Sequence, residues 1–241
     1  MGGVPIAVFL SLALPAKLPQ SWVDDLFSGL LKLAEEFRVT LAGGDTARSP
    51  NKIFADIVVL GSVPQGKAIL RSGAKPGDRI FVTGALGGAA NTLRMLQDGR
   101  GNILAADRNS YFYPPPRLEV GRILREQKLA SAMIDISDGL STDLAHICEE
   151  SGFGAEIYAE AIPRAFYRSL RKHIDLNFAL HGGEDYELLF TAPSKADIPA
   201  EISRVPITEI GKIIRGRRMV LKTKNKMRTL APAGWEHFAK P

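Results

Sequence analysis

The chain has one cysteine in 241 residues, Cys148, which excludes an internal disulfide and any multi-cysteine metal site and fits a reducing compartment. It sits in the helical pattern Asp143-Leu144-Ala145-His146-Ile147-Cys148, where a lone cysteine is a small packing residue and His146 beside it belongs to the helix surface or its packing. Aromatic residues are scarce at 7%, and few are interleaved with the basic residues near the end of the chain, Lys212, Arg215, Arg217, Arg218, Lys222, Lys224, Lys226 and Arg228. The net charge of +5 therefore reads as a solvated basic hairpin and not as a nucleic-acid surface. No apolar run is long enough to span a bilayer. The apolar opening, Val4 to Leu14, has no Lys or Arg before Lys17, so it reads as a buried strand and not as an export signal. Internal repeats and low-complexity segments are also lacking.

What remains is a globular balance of 45% hydrophobic and 24% charged residues, enough for one large domain or two ordinary ones. Apolar residues at Trp22, Leu26, Leu30, Ala34 and Phe37 predict a helix capped by Ser21. Val39–Ala42 and Ile53–Val63 predict strands on either side of a loop at Gly43-Gly44-Asp45. The turn-rich stretch Arg71-Ser72-Gly73-Ala74-Lys75-Pro76-Gly77-Asp78 sets a domain boundary just before it, giving residues 1–66 and 67–241. Beyond it, strands are expected at 79–83, 132–136, 152–159 and 188–191, and helices at 86–96, 118–127 and 140–149. Ile210–Ile214 and Met219–Lys222 read as the two arms of a hairpin around Arg215-Gly216-Arg217.

Three stretches set glycine beside acid: Gly43-Gly44-Asp45, Asp135-Ile136-Ser137-Asp138-Gly139 and Gly182-Gly183-Glu184-Asp185. Glycine lets backbone approach a ligand, and carboxylates supply the hard oxygen ligands that Mg²⁺ prefers, so the combination suits metal-bridged phosphate. The second stretch closes a strand and opens a helix, placing two carboxylates and a hydroxyl beside free helix amides. A helix cap would account for one of those acids but not both. The first and third are weaker alone, because Gly-Gly-Asp also makes an ordinary tight turn. Glu184 and Asp185 are placed to face a cleft. Gly61-Ser62-Val63-Pro64-Gln65-Gly66-Lys67-Ala68 nearly fits a P-loop, but Ala68 replaces the metal-binding hydroxyl and Pro64 removes an amide from the cradle.

Taken in order with Val82-Thr83-Gly84 and the closing Gly234-Trp235-Glu236-His237-Phe238, these motifs make the chain resemble the thiamine-monophosphate kinase family. That family belongs to the superfamily that also contains aminoimidazole ribonucleotide synthetase and selenophosphate synthetase. The resemblance implies an α/β (α+β) fold of the synthetase-like two-domain type, with a truncated N-terminal ATP-binding domain and a complete C-terminal α/β domain. It implies ATP-dependent phosphorylation of thiamine monophosphate to thiamine diphosphate with several Mg²⁺ ions, in the cytoplasm, by a homodimer in the full-length family form. Carried over by motif, Gly44, Asp45, Arg71 and Ser137 would meet ATP. Asp45, Asp135 and Asp138 would hold metal, and Glu184 and Trp235 would line the thiamine end. No protein nucleophile or catalytic base is implied. A tryptophan face can stack on a cationic thiazolium ring, and a packing role for Trp235 fits the residues equally well. The family's amino-terminal segment, with further metal-binding acids, has no counterpart before Met1, so the chain resembles a family member begun at an internal methionine. Two other readings stay open: a catalytically impaired nucleotide-binding protein, and a related ATP-using synthetase with another acceptor.

Overall fold

The structure, a computed structural model, describes residues 1–99 and 103–235. Glu236, His237 and Phe238 of the closing motif lie outside the described residues. The chain divides into two compact units, Gly3–Lys67 and Met1–Gly2 with Ala68–Pro241.

In the smaller unit β1 (Val4–Pro15), α1 (Gln20–Glu36), β2 (Thr40–Ser49) and β3 (Phe54–Ser62) form a three-stranded sheet of order β2-β1-β3. β2 runs parallel to β1, and α1 supplies the crossover that parallel neighbours require. β3 returns antiparallel on the other side of β1. Every second residue of β1 turns inward, burying Val8, Leu10 and Leu12. β3 keeps apolar side chains in solvent, among them Phe54, Ile57, Val59 and Leu60.

Two local expectations change here. The helix starts one residue before Ser21 behind Pro19, with no side-chain cap, because proline already fixes the extended entry. The Gly-Gly-Asp stretch is not a loop. It lies inside β2, where the register slips between Val8 and Phe9 and both glycines take positive φ, 155° and 153°. A side chain on Gly44 would overlap the Leu10 main chain, so the glycine keeps the bulged strand in the sheet.

The larger unit contains, in order, β4 (Arg79–Thr83), α2 (Gly88–Gln97), α3 (Ala105–Phe112), α4 (Leu118–Glu126), β5 (Ala132–Asp135), α5 (Leu140–Ser151) and β6 (Gly154–Tyr158). β7 (Phe166–Tyr167), β8 (Lys172–His173), α6 (Leu176–His181), β9 (Leu188–Ala192), β10 (Glu201–Ile202), β11 (Val205–Ile214), β12 (Met219–Lys222) and β13 (Met227–Thr229) follow. The main sheet has the order β13-β12-β6-β11-β4-β9-β5, with β10 paired to β11.

Alternation along the central strands feeds two cores. Ile80, Val82, Ile134 and Leu189 pack with Leu140, Leu144 and Ile147 of α5 and Leu180 of α6. Phe81, Met133, Leu188 and Phe190 point the other way, onto Val120 and Leu124 of α4, with the Phe81 and Phe190 rings stacked at 5.2 Å. Such a period-two split is the signature of a sheet covered on both faces. Cys148 packs in the first core, where burial pushes its thiol up to about 12.

The expected hairpin of β11 and β12 does not form. β6 lies between them, antiparallel to β11 and parallel to β12, and the real hairpin joins β12 to β13. Adjacent apolar runs with a glycine turn satisfied the sequence pattern, but the alternating Ala155 and Ile157 of β6 take the central place. Among the described residues no helix is long and apolar enough to cross a membrane.

Candidate active site

The acid motif of the larger unit lies between the exit of β5 and the start of α5. The loop Ile136–Gly139 is held from inside the helix that follows it. Asp143, 1% exposed, accepts the backbone N–H groups of Ser137, Asp138 and Gly139 on one oxygen, Oδ2, at 3.1, 3.1 and 3.0 Å. Those three amides, which precede the first turn of α5, are therefore occupied from within the chain. No side chain caps α5, so neither Ser137 nor Asp138 is spent on a cap.

The third motif interlocks with this loop. Glu184 N–H donates to the Ser137 carbonyl, Tyr186 N–H to the Ile136 carbonyl, and Ile136 N–H to the Glu187 carbonyl, at 2.9, 2.9 and 2.7 Å. Glu184 and Tyr186 both take left-handed backbone, φ 69° and 51°, a costly conformation for side-chain-bearing residues. Gly183 must be glycine, because a Cβ there would collide with the Ser137 carbonyl. Two buried anchors hold the strained segment. Arg117 grips Glu187 through two hydrogen bonds, joined by Thr83 Oγ1 at 2.5 Å. Asp185 turns away from the cleft and receives the Gly87 and Ala89 amides at the start of α2, at 2.5 and 3.3 Å. Of the pair expected to face a cleft, only Glu184 does so.

Ser137, Asp138, Gly183, Glu184, Tyr186 and Trp235 line one open cavity of about 530 Å³, with Ala90, Leu93 and Tyr111 completing its wall. The lining combines the carboxylates of Asp138 and Glu184 and the Ser137 hydroxyl with three aromatic rings. Tyr186 Oη donates to Glu184 Oε2 at 3.2 Å. Tyr111 carries no sequence signal beyond being aromatic, Tyr186 directly follows the third motif without an assigned role, and the fold brings both to this cavity. A second cavity of about 480 Å³, lined by Cys148, Glu149, Arg217 and Arg218 among others, gathers none of the motif residues.

Charge in the loop is concentrated. Burial, with the Asp138 and Asp135 carboxylates adding to it against the backbone amides, raises Asp143 to about 6. Ligand atoms of Asp138, Asp143 and His146 lie within 4.8 Å of one another. The two carboxylates suit a hard cation and the imidazole does not, while Asp135 adds a third carboxylate charge felt at Asp143. Burial is the largest cause of that shift, and the share added by the Asp138 and Asp135 charges is what a divalent cation would relieve. The donor chemistry fits Mg²⁺.

Other expected residues lie elsewhere. Gly44 and Asp45 line a separate cavity of about 330 Å³ in the smaller unit, with Leu10, Phe27 and Thr46. Arg71 is exposed, and its carbonyl accepts from Ser151 Oγ at the C-terminal end of α5, whereas Ser137 and Asp138 precede the helix's N-terminus.

A two-unit α/β chain with this acid-rich strand exit belongs to a known class. Residues 1–63 match the AIR synthase related protein N-terminal domain and residues 75–224 the C-terminal domain. The chain belongs to the thiamine-monophosphate kinase family. It is 36% identical to the thiamine-monophosphate kinase of Salmonella typhimurium and 37% identical to that of Escherichia coli K12, in each case over all of this chain and 76% of the relative. Among solved structures, "AaThiL complexed with AMPPCP and TMP" superposes with a TM-score of 0.85 at 31% identity, covering 98% of this chain and 75% of that one. The thiamine-monophosphate kinase of Stenotrophomonas maltophilia K279a gives 0.84 at 34% identity, covering 92% and 73%. The hydrogenase maturation protein HypE shares the fold, with a TM-score of 0.81 at 20% identity, covering 100% and 79%.

Proposed function

We propose that the chain transfers the terminal phosphoryl group of ATP to the phosphate of thiamine monophosphate, giving thiamine diphosphate and ADP. The observation that carries this reading is the one cavity that Ser137, Asp138, Glu184, Tyr186 and Trp235 line together. Its carboxylates and hydroxyl suit phosphate held through cations, and its aromatic rings suit a cationic ring. Family membership and the related structure with AMPPCP and TMP support it.

Each residue has a defined task. Asp135 and Asp138 are proposed to hold Mg²⁺ and Ser137 to hydrogen-bond the nucleotide. Glu184 pairs with the positive ring system and Trp235 stacks on it. Gly44 and Asp45 in the smaller unit are proposed to meet ATP and a further Mg²⁺, and Arg71 a nucleotide phosphate. When bound, Mg²⁺ supplies charge neutralisation between the two phosphate groups. The acceptor is already an anion, so no side chain has to remove a proton, and positioning carries the catalysis. Cys148 is buried with a raised thiol and offers no rival nucleophile.

The exposed apolar side chains of β3 support a dimer as the working form, and the reaction is proposed to take place in the cytoplasm. A related synthetase with another acceptor is the reading to separate. Incubation with ATP, Mg²⁺ and thiamine monophosphate, followed by chromatography, should give thiamine diphosphate and ADP in equal amounts. ADP release that does not depend on thiamine monophosphate would refute the proposal.

A further inference from the structure

Residues 230–235 have no regular secondary structure, yet the segment is pinned to the start of α5 at three consecutive residues. Ala233 N–H donates to Ser141 Oγ at 3.2 Å, Gly234 N–H to Thr142 Oγ1 at 3.1 Å, and Trp235 N–H to the Asp138 carbonyl at 3.0 Å. Upstream, Leu230 is buried and its N–H donates to the Met219 carbonyl. The segment is therefore a strap fixed at Leu230 and again at residues 233–235, and Trp235, 64% exposed, lies on the cavity wall.

Neither hydroxyl belongs to a helix cap, since α5 has no side-chain cap. Ser141 is fully buried, and its Oγ also shares a hydrogen bond with His181 Nδ1 at 2.8 Å, which fixes the rotamer that receives Ala233. The approach is close. A Cβ on Gly234 would overlap the Asp138 carbonyl oxygen and come within 2.7 Å of Thr142 Oγ1, so only glycine lets the strap lie down here.

We infer that Ser141 and Thr142 are positioning residues for the acceptor: their hydroxyls, with Gly234, hold the strap that sets Trp235 against the cavity. This rests on the reading of the cavity as the thiamine monophosphate site. It also ties the acceptor side to Asp138, whose carbonyl anchors the strap while its carboxylate faces the proposed metal side.

The test is calorimetric titration of thiamine monophosphate and of ATP with Mg²⁺ into the wild-type protein and into Gly234→Ala, Thr142→Val and Thr142→Ser. Thermal melts would confirm that each variant folds. Thiamine monophosphate affinity should fall about tenfold or more in Gly234→Ala and about fivefold in Thr142→Val, and stay within about twofold in Thr142→Ser. ATP affinity should stay within about twofold throughout. In a Trp22→Phe background, the emission change on adding thiamine monophosphate reports Trp235 alone, and it should shrink in Gly234→Ala. Normal thiamine monophosphate affinity in folded Gly234→Ala and Thr142→Val, or equal weakening of both ligands, overturns the strap while the functional reading stands. Wild-type protein that does not bind thiamine monophosphate overturns the functional reading and the inference with it.

Discussion

The Asp143 carboxylate accepts the backbone N–H of Ser137 at 3.1 Å from a position six residues further along the chain, inside the helix that the loop leads into. With its bonds to Asp138 and Gly139, the contact makes the acid-bearing loop rigid before any ligand arrives. Asp143→Ala should leave three amides without this acceptor and cost about 2–3 kcal/mol of stability. It should also abolish Mg²⁺-dependent tightening of ATP binding, because Asp138 would no longer be fixed. Urea unfolding and calorimetry check both parts, and a stable variant with unchanged Mg²⁺ dependence would show that the loop needs no such support.

The Arg117–Glu187 pair is the second anchor. Its groups are 17% and 7% exposed, so removing one partner strands the other charge away from water. Arg117→Met should destabilise the fold by about 3–5 kcal/mol, and the double variant with Glu187→Gln by clearly less than the sum of the singles. A double-mutant cycle by chemical denaturation decides it. Additive losses would mean that the two side chains act independently.

Asp185 gives a pH signature. Burial raises its carboxyl to about 7 from 3.8, with Glu187 adding to the shift and the Gly87 and Ala89 amides opposing it. The folded state thus binds this proton more tightly than the unfolded chain. The contribution is fully present below the unfolded value and is lost as pH rises through about 7. Relative to Asp185→Asn, which cannot ionise, the wild-type melting temperature should decline as pH is raised across that window. Parallel profiles for the two proteins would contradict the assignment.

The apolar residues of β3 call for a partner surface. Val59, 57% exposed, pairs with Val8 across the sheet. Replacing Val59 with Lys should shift the proposed dimer toward monomer in sedimentation equilibrium, with little change in the far-ultraviolet circular dichroism. An unchanged mass distribution would place association elsewhere.

Much of this was legible in the sequence. The strands at β4, β5 and β9 followed from apolar runs ending at turn residues, and the acid motifs stood out by their glycines. The order of β12, β6 and β11 was not legible, because a glycine turn between apolar runs does not reveal which strand inserts between them. The placement of Glu184 and Asp185 in the chain did not separate their roles, and only the family resemblance singled out Glu184. They are neighbours, but left-handed backbone at Glu184 turns one to the cavity and the other to α2. Asp143 read as one more polar helix position until the fold brought three amides onto it.

The most direct measurement uses ATP labelled with ³²P at the γ position, Mg²⁺ and thiamine monophosphate, with protein in excess so that a single turnover is read. The account predicts label in the terminal phosphate of thiamine diphosphate, none on the protein, and loss of transfer in an Asp135→Asn, Asp138→Asn double variant that remains folded. Label on the protein, label only in inorganic phosphate, or undiminished transfer by the double variant would contradict it.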